Sequence, residues 1–300
     1  MSTPAFTVEG IDYQAGLPDL RRVRETVFVH EQGVPLALEW DELDPQCHHV
    51  VARDSGGEAI GTGRLTPKRT IGRMAVLSDW RGRGVGDAML RALLEQARAN
   101  GWHEVSLHAQ ASAIDFYARH GFLPVGERFE EAGIEHQSMR LLPGAVNPVE
   151  TRESAIAAVL GIIAGSRRQL NVYSRELDPG LFDAPEIVAA LRRHATAGGD
   201  VRVLLQDPAE PQRALAPLIG LAQRLPSAFA FRAIEEPTDR SYPSAFVVND
   251  LGGYYFRPLG HRFDGETRLD GSGRARQLRS GFDPVWERAR ACTEYRALGL

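Results

Sequence analysis

Between residues 73 and 100 the chain reads Arg73-Met74-Ala75-Val76-Leu77, a short Ser-Asp-Trp loop, then Arg81-Gly82-Arg83-Gly84-Val85-Gly86. A helix-period stripe of Val85, Met89, Leu90, Leu93, Leu94 and Ala97 follows, which predicts a helix over about 84–100. This strand–loop–helix order constrains the fold more than any other feature. Glycines at alternate positions let the backbone turn its N–H groups inward, and a helix start adds unpaired donors and a positive dipole end. Arg81 and Arg83 add charge-assisted contacts. Taken alone, the segment is either a glycine-rich turn or a cradle for a diphosphate. A dinucleotide site would need an acidic residue about 20 positions on, at the end of a second parallel strand. That distance falls on Glu104, at the start of a strand, and no β-α unit leads into the loop.

The surroundings of the loop alternate between strand and helix. Leu17–Phe28 has helical spacing, and His49–Arg53, Ile60–Leu65 and Ile71–Leu77 read as strands. After the central helix come a strand over Val105–Ala109, a helix over Ser112–His120 closed by Gly121, and strands over Phe122–Val125 and Gln137–Leu141. Residues 143–148, Pro-Gly-Ala-Val-Asn-Pro, suit neither helix nor strand and predict a linker. They divide the chain into domains 1–142 and 149–300. The second half predicts helices at Ser154–Ile163, Glu186–Thr196, Arg213–Arg224 and Asp283–Tyr295. Its strands are predicted at Gln169–Tyr173, Val201–Gln206, Ala228–Ile234, Ala245–Val248 and Gly253–Phe256. That alternation predicts an α/β layer with a largely parallel sheet.

A net charge of −4 argues against a nucleic-acid partner. Two cysteines, Cys47 and Cys292, are too few for a disulfide framework and fit a reducing compartment. The N-terminus lacks the basic and apolar regions of a signal peptide. The longest apolar run, Ala157–Ala164, is broken by Gly161 and falls far short of the ~20 residues a membrane span needs. The expected location is the cytoplasm, with no membrane partner.

Arg81, Gly84 and Gly86 match the Gln/Arg-x-x-Gly-x-Gly/Ala pattern of the GNAT superfamily, and the whole of residues 5–142 resembles these acyl-CoA-dependent N-acetyltransferases. The resemblance implies a mixed sheet flanked by helices, with acetyl-CoA as cosubstrate and a small-molecule amine or protein lysine as acceptor. It places Met74-Ala75-Val76 along the pantetheine arm, as an added strand would pair. The diphosphate then falls on Arg81, Gly82, Arg83, Gly84, Val85 and Gly86, with Gln110 and Phe116 also at the cofactor. Phe116-Tyr117 with Gly121-Phe122 matches the Phe-Tyr-x-x-x-Gly-Phe signature, in which the tyrosine protonates the departing thiolate. Tyr117 also reads as a core aromatic beside Phe116 and Phe122. The segments Val23–Gln32, Ala109-Gln110 and Gly133–Met139 are similar to the ElaA-type branch.

An amine must lose a proton before attack, and carboxylates after the first helix would attract it. Glu39 and Asp44 are the candidate bases, and Glu31, Asp41 and His136 the candidate acceptor-binding groups. Any one of the acids also reads as a solvated loop residue. His108 sits beside the expected thioester as a second catalytic candidate, or else as a buried, hydrogen-bonded histidine. Cys47-His48-His49 points to alternate faces of a strand and cannot close a tetrahedral site, so no metal is expected. A non-enzymatic acyl-CoA sensor is the competing reading. Arg24, Phe28, Trp40, Asp41 and Asp44 also resemble acyl-homoserine-lactone synthases, which lack the Arg-x-x-Gly-x-Gly loop.

The second domain resembles, at Asp250 alone, the His-x-Lys-x-x-x-x-Asp strand of the phospholipase D-like superfamily. Pro243 and Ala245 occupy the histidine and lysine positions. Without those residues there is neither nucleophile nor phosphate clamp, so the resemblance implies an inactive half that binds, dimerises or supports. It offers a surface for a homodimer.

Overall fold

The computed structural model describes residues 6–208, 216–271, 273–292 and 295. Contacts divide them into two compact units: residues up to Ala111 with Gly126–Pro143, and Ser112–Val125 with the chain from Gly144 onward. The division differs from a cut after residue 142 by one segment, which carries Tyr117.

The strands of the first sheet are β1 (Phe6–Ile11), β2 (His48–Asp54), β3 (Ala59–Leu65), β4 (Thr70–Val76), β5 (Val105–Gln110), β6 (Leu123–Glu131) and β7 (Ile134–Leu141). They form one sheet in the order β1-β2-β3-β4-β5-β7-β6. β4 and β5 run parallel there, and β1 to β4 form an antiparallel meander. Helix α1 (Tyr13–Arg24) begins earlier than its apolar spacing predicts, because Asp12 caps it by accepting from the N–H groups of Gln14 and Ala15. It continues as a π-helix over Glu25–Glu31. Val23 and Val27 pack with Val51, Ala59 and Ala75. Helix α3 (Val85–Ala99), which follows the short α2 (Leu36–Glu39), buries Val85, Met89, Leu90, Leu93, Leu94 and Ala97, the stripe that the sequence marks. Two strand glycines admit that stripe: a Cβ on Gly61 would lie 3.0 Å from the Met89 sulfur, and one on Gly63 3.2 Å from Leu93 Cδ1.

The hairpin of β6 and β7 extends well beyond its predicted strands. Residues 126–131 are mostly charged and exposed, and they stay extended through pairing rather than burial. Ala132 (φ 53°) and Gly133 (φ 77°) form its two-residue turn, the left-handed pair that a type I′ turn requires. Alanine is strained there where asparagine is tolerated. Ala132→Asn is expected to stabilise the hairpin by about 0.5–1 kcal/mol, read as a rise in the urea midpoint.

The second unit contains a sheet in the order β15-β11-β10-β9-β12-β13-β14-β8. Its strands are β8 (Asn147–Val149), β9 (Gln169–Ser174), β10 (Asp200–Leu205), β11 (Phe229–Ala233), β12 (Ala245–Asn249), β13 (Tyr254–Arg257), β14 (Gly265–Arg268) and β15 (Arg290–Ala291). The sheet is mixed rather than largely parallel: β9, β10 and β11 are parallel, and the other pairs are antiparallel. Part of the expected linker is strand β8, in which Pro148 stands opposite Glu266. Proline's missing N–H is harmless on the outer side of an edge strand.

Helix α5 (Arg152–Ala164) buries every residue from Ser154 to Ile163, as a helix apolar all round must. It packs against α4 (Ile114–Ala118) and α6 (Pro185–Thr196). The last helix runs over Gly273–Arg288, ten residues earlier than predicted, and Gly281 and Pro284 lie within it. Its buried stripe of Ala275, Leu278, Phe282, Val285 and Trp286 meets Tyr173, Leu204, Phe246 and Val248 on the sheet. Residues 213–215 of the helix predicted at Arg213–Arg224 lie outside the described residues. The remainder forms Ala216–Arg224.

Candidate active site

Strand β4 pairs with β5 only at Thr70↔Ser106 and Ile71↔Leu107. Beyond that point the two strands separate, because β4 carries a bulge. Thr62 opposes Ala75 and Arg64 opposes Gly72, so residues 73 and 74 together face Gly63. Arg73 takes a left-handed conformation (φ 50°) at the bulge. Its guanidinium donates to the carbonyls of Glu39 and Leu38, both at 3.0 Å, which holds the strained residue in place. The edge of Met74–Val76 that faces the gap is thereby left without a strand partner. An extended chain of amide groups could pair there as a new strand.

That edge runs into the glycine loop. Gly82 (φ 71°) and Gly84 (φ 84°) are left-handed, and Gly84 is the N-cap of α3 with no side chain satisfying the helix donors. The first helical bond is Ala88 N–H to the Gly84 carbonyl at 3.0 Å, so the N–H groups before it point outward from the helix end. Arg83 is exposed, with its guanidinium 5.3 Å from the Trp80 ring. Arg81 donates to the Val76 carbonyl at 2.9 Å and forms an ion pair with Glu31. Strand edge, left-handed glycines, open helix terminus and basic side chains together fit a ligand that combines amides with a diphosphate. Residues 74–76 and 81–86 would hold it.

Two of the acidic residues after α1 turn inward. Glu39 is 2% exposed and Asp44 is fully buried. Arg24, itself 1% exposed, donates to Glu39 Oε1 at 2.5 Å and to Asp44 Oδ1 at 2.8 Å, and lies 3.9 Å over the Trp40 ring. Arg64 bridges Asp44 at 2.7 Å and Asp41 at 2.6 Å. Burial pushes the Asp44 carboxyl up, but Arg24 and Arg64 outweigh it and hold its pKa below the usual range. Hydrogen bonds from Arg64 bring Asp41 down to about 2. Burial dominates at Glu39 and leaves its pKa raised despite Arg24 and Arg73. This corrects the expectation of Glu39 and Asp44 as bases and of Asp41 as an acceptor ligand. A base needs a free lone pair within reach of the amine, and these carboxylates are spent on arginines that pin the loop to α1, β3 and β4.

Open polar groups lie instead on the outer face of β5 and β7. His108 is half-exposed rather than buried, with Nδ1 3.4 Å from Glu131 Oε2 and its ring edge-on to Phe129 at 4.9 Å. His136 stacks on the other flank of Phe129 at 5.9 Å and pairs in register with Gln110. Gln110 donates to Gln32 Oε1 at 2.9 Å. His108, Gln110 and His136 thus gather beside the gap between β4 and β5. Phe129 and Glu131 complete the group. Sequence reading missed these two, because they sit in a charged stretch that reads as loop.

Tyr117 belongs to the second unit. It is buried there between Phe116 (4.9 Å) and Phe122 (6.0 Å), and burial raises its pKa above the ordinary phenol value. Asp250, the residue shared with phospholipase D-like strands, binds the N–H groups of Arg167 (2.9 Å) and Arg168 (3.0 Å) and the Ser166 hydroxyl (3.2 Å). It serves a turn.

A family model described as a domain of unknown function (DUF7931) matches residues 151–298, so the phospholipase D-like expectation for the second domain is not supported. Residues 5–143 match the model described as an acetyltransferase (GNAT) domain. The uncharacterized N-acetyltransferase YjcF of Bacillus subtilis is 40% identical over 127 residues, which cover 41% of this chain and 90% of that protein. The UPF0039 protein sll0451 of Synechocystis is 33% identical over 128 residues, 40% of this chain and 82% of that one. Among solved structures, Escherichia coli ElaA aligns with 28% identity over 45% of this chain and 99% of its own, with a TM-score of 0.42. An acyl-CoA N-acyltransferase from Pseudomonas aeruginosa aligns with 32% identity over 46% and 98%, with a TM-score of 0.41. Through residues 5–143 the chain therefore belongs to the GNAT family and is an acyl-CoA-dependent N-acyltransferase.

Proposed function

We propose that the first domain moves an acetyl group from acetyl-CoA to a primary amine by direct attack, with His108 as the base and Tyr117 as the acid. The observation that carries the reading is the unpaired edge of Met74–Val76 leading into the open N-terminus of α3. Bound there, acetyl-CoA supplies an activated acyl carbon. The amine nitrogen bonds to that carbon as the C–S bond breaks. Its proton passes to His108, directly or through one water, while Glu131 holds the other ring nitrogen. Tyr117 gives its phenolic proton to the leaving sulfur. That role rests on the Phe-Tyr-x-x-x-Gly-Phe signature and on a phenol that burial keeps protonated. Acetyl is the acyl group that the resemblance implies. Glu31, although it is ion-paired with Arg81, and His136 keep their expected place on the acceptor side, and a cationic amine suits the exposed carboxylate of Glu131.

The test is release of free CoA from acetyl-CoA with a panel of polyamines, amino sugars and lysine peptides. Turnover with at least one of them is expected. In His108→Gln the rate should drop about 10²-fold. An unchanged rate in His108→Gln would reassign the base, and absence of turnover despite saturable acetyl-CoA binding would sink the acetyl reading.

A further inference from the structure

The second unit contains a cavity of about 290 Å³ lined by Arg175, Gln206, Asp207, Arg240, Tyr242 and His261, among others. Its place in the sheet follows from topology. From β9 the chain steps outward to β10 and β11, then returns to lay β12 on the other flank of β9. The strand order therefore reverses at β9, where open α/β sheets leave a crevice beyond the carboxyl ends of their parallel strands. Arg175 directly follows β9, and Gln206 and Asp207 directly follow β10. Residues 240–243 lead into β12, and Gly260 and His261 follow β13, so every contributor lies at the same end of the sheet.

The walls are held by buried polar side chains. Gln206 donates to the Tyr242 carbonyl at 2.6 Å, and Tyr173 to the Asp239 carbonyl at 2.9 Å. The Gly260 N–H donates to the Pro243 carbonyl at 2.8 Å. Arg257, buried against Asp178, donates to the Gly260 carbonyl at 3.0 Å. Arg268, Arg288 and Arg290 in this unit are likewise paired with acids. Arg175 and Arg240 are exposed and make no ion pair among the described residues. Two guanidinium groups and an imidazole in one lining match the charge and donor chemistry that a phosphate requires. The space exceeds that of the bare anion but is small for a nucleotide.

We propose that this pocket binds a small phosphomonoester, with Arg175 and Arg240 on the phosphate. The test titrates the full-length chain with glycerol 3-phosphate by calorimetry. Inorganic phosphate and glycerol serve as partial probes, and saturating CoA is present throughout to fill the first domain's own anion site. Saturable binding of glycerol 3-phosphate is expected, weaker for phosphate and absent for glycerol. Affinity should fall about tenfold in Arg175→Gln and in Arg240→Gln, and remain unchanged in Arg83→Gln. Both arginines are exposed, so the variants should fold. As a second readout, glycerol 3-phosphate should raise the Tm of the parent chain and not of the double variant. No saturable binding, equal binding by the double variant, or loss of binding in Arg83→Gln would each overturn the assignment.

Discussion

Replacing Arg24 by methionine is expected to cost about 3–5 kcal/mol and to unfold the first domain well below the parent's urea midpoint. The side chain is 1% exposed, and its guanidinium donates to Glu39 Oε1, the Glu39 carbonyl and both oxygens of Asp44. Methionine fills much of the volume over Trp40 but leaves buried carboxylates with fewer partners. Arg64 still serves Asp44, and Arg73 still lies 3.3 Å from Glu39 Oε2, so the loss is that of one arm rather than of the whole network. Adding Glu39→Gln to Arg24→Met removes an uncompensated charge and should restore part of the stability. A midpoint shift below about 1 kcal/mol for Arg24→Met would show that the network is not a stabilising clamp.

The same network sets an acid limit. Asp41 and Asp44 have pKa values below the ordinary 3.8, so their contribution is present above that value. It is lost as pH falls through their folded-state values, toward about 2 for Asp41. Glu39 acts in the opposite sense. Its pKa is raised above 4.5, so its ionisation costs stability as pH rises past that value. The part-exposed Asp41 is screened by solvent and counts for less than Asp44.

Much of this architecture is legible in the sequence, and its gaps have physical causes. The loop at Arg81–Gly86 and the stripe of α3 declare themselves because left-handed backbone needs glycine and a buried helix face needs period 3.6. The fate of Glu39 and Asp44 does not show. Their partners Arg24, Arg64 and Arg73 come from three separate elements, and an acidic loop that folds inward has the same composition as one left in water. The strands over 126–135 are hidden because edge strands of charged residues lack a buried face to betray their period. Gly281 and Pro284 suggest a helix start at Asp283, yet the apolar stripe from Ala275 to Trp286 carries the helix straight through them. Nor does the spacing of Phe116 and Tyr117 reveal that their short helix packs on α5.

That packing shapes the last prediction: Tyr117→Phe should lower kcat about 10²-fold while leaving acyl-CoA affinity within twofold and the Tm unchanged or slightly raised. Phenylalanine keeps the ring between Phe116 and Phe122 and removes only a buried hydroxyl, so a merely structural role would move neither number. As the proposed acid the tyrosine would be a reluctant one, because burial holds its proton more tightly than an ordinary phenol does. In the proposed reaction, transfer to sulfur would therefore be concerted with C–S cleavage, when the thiolate's charge is developing. The seat of the tyrosine helix is equally specific. A Cβ on Gly161 of α5 would lie 3.1 Å from the Ala118 carbonyl and 3.0 Å from Leu269 Cδ2. Gly161→Val should accordingly lower kcat together with the Tm, although Tyr117 remains in the chain. If Tyr117→Phe turned over at the parent rate, the phenol would be reassigned to the core. If Gly161→Val kept full activity, α5 would be unnecessary to the chemistry. A fall in both variants, with stability lost only in the second, would separate the acid from the helix that positions it.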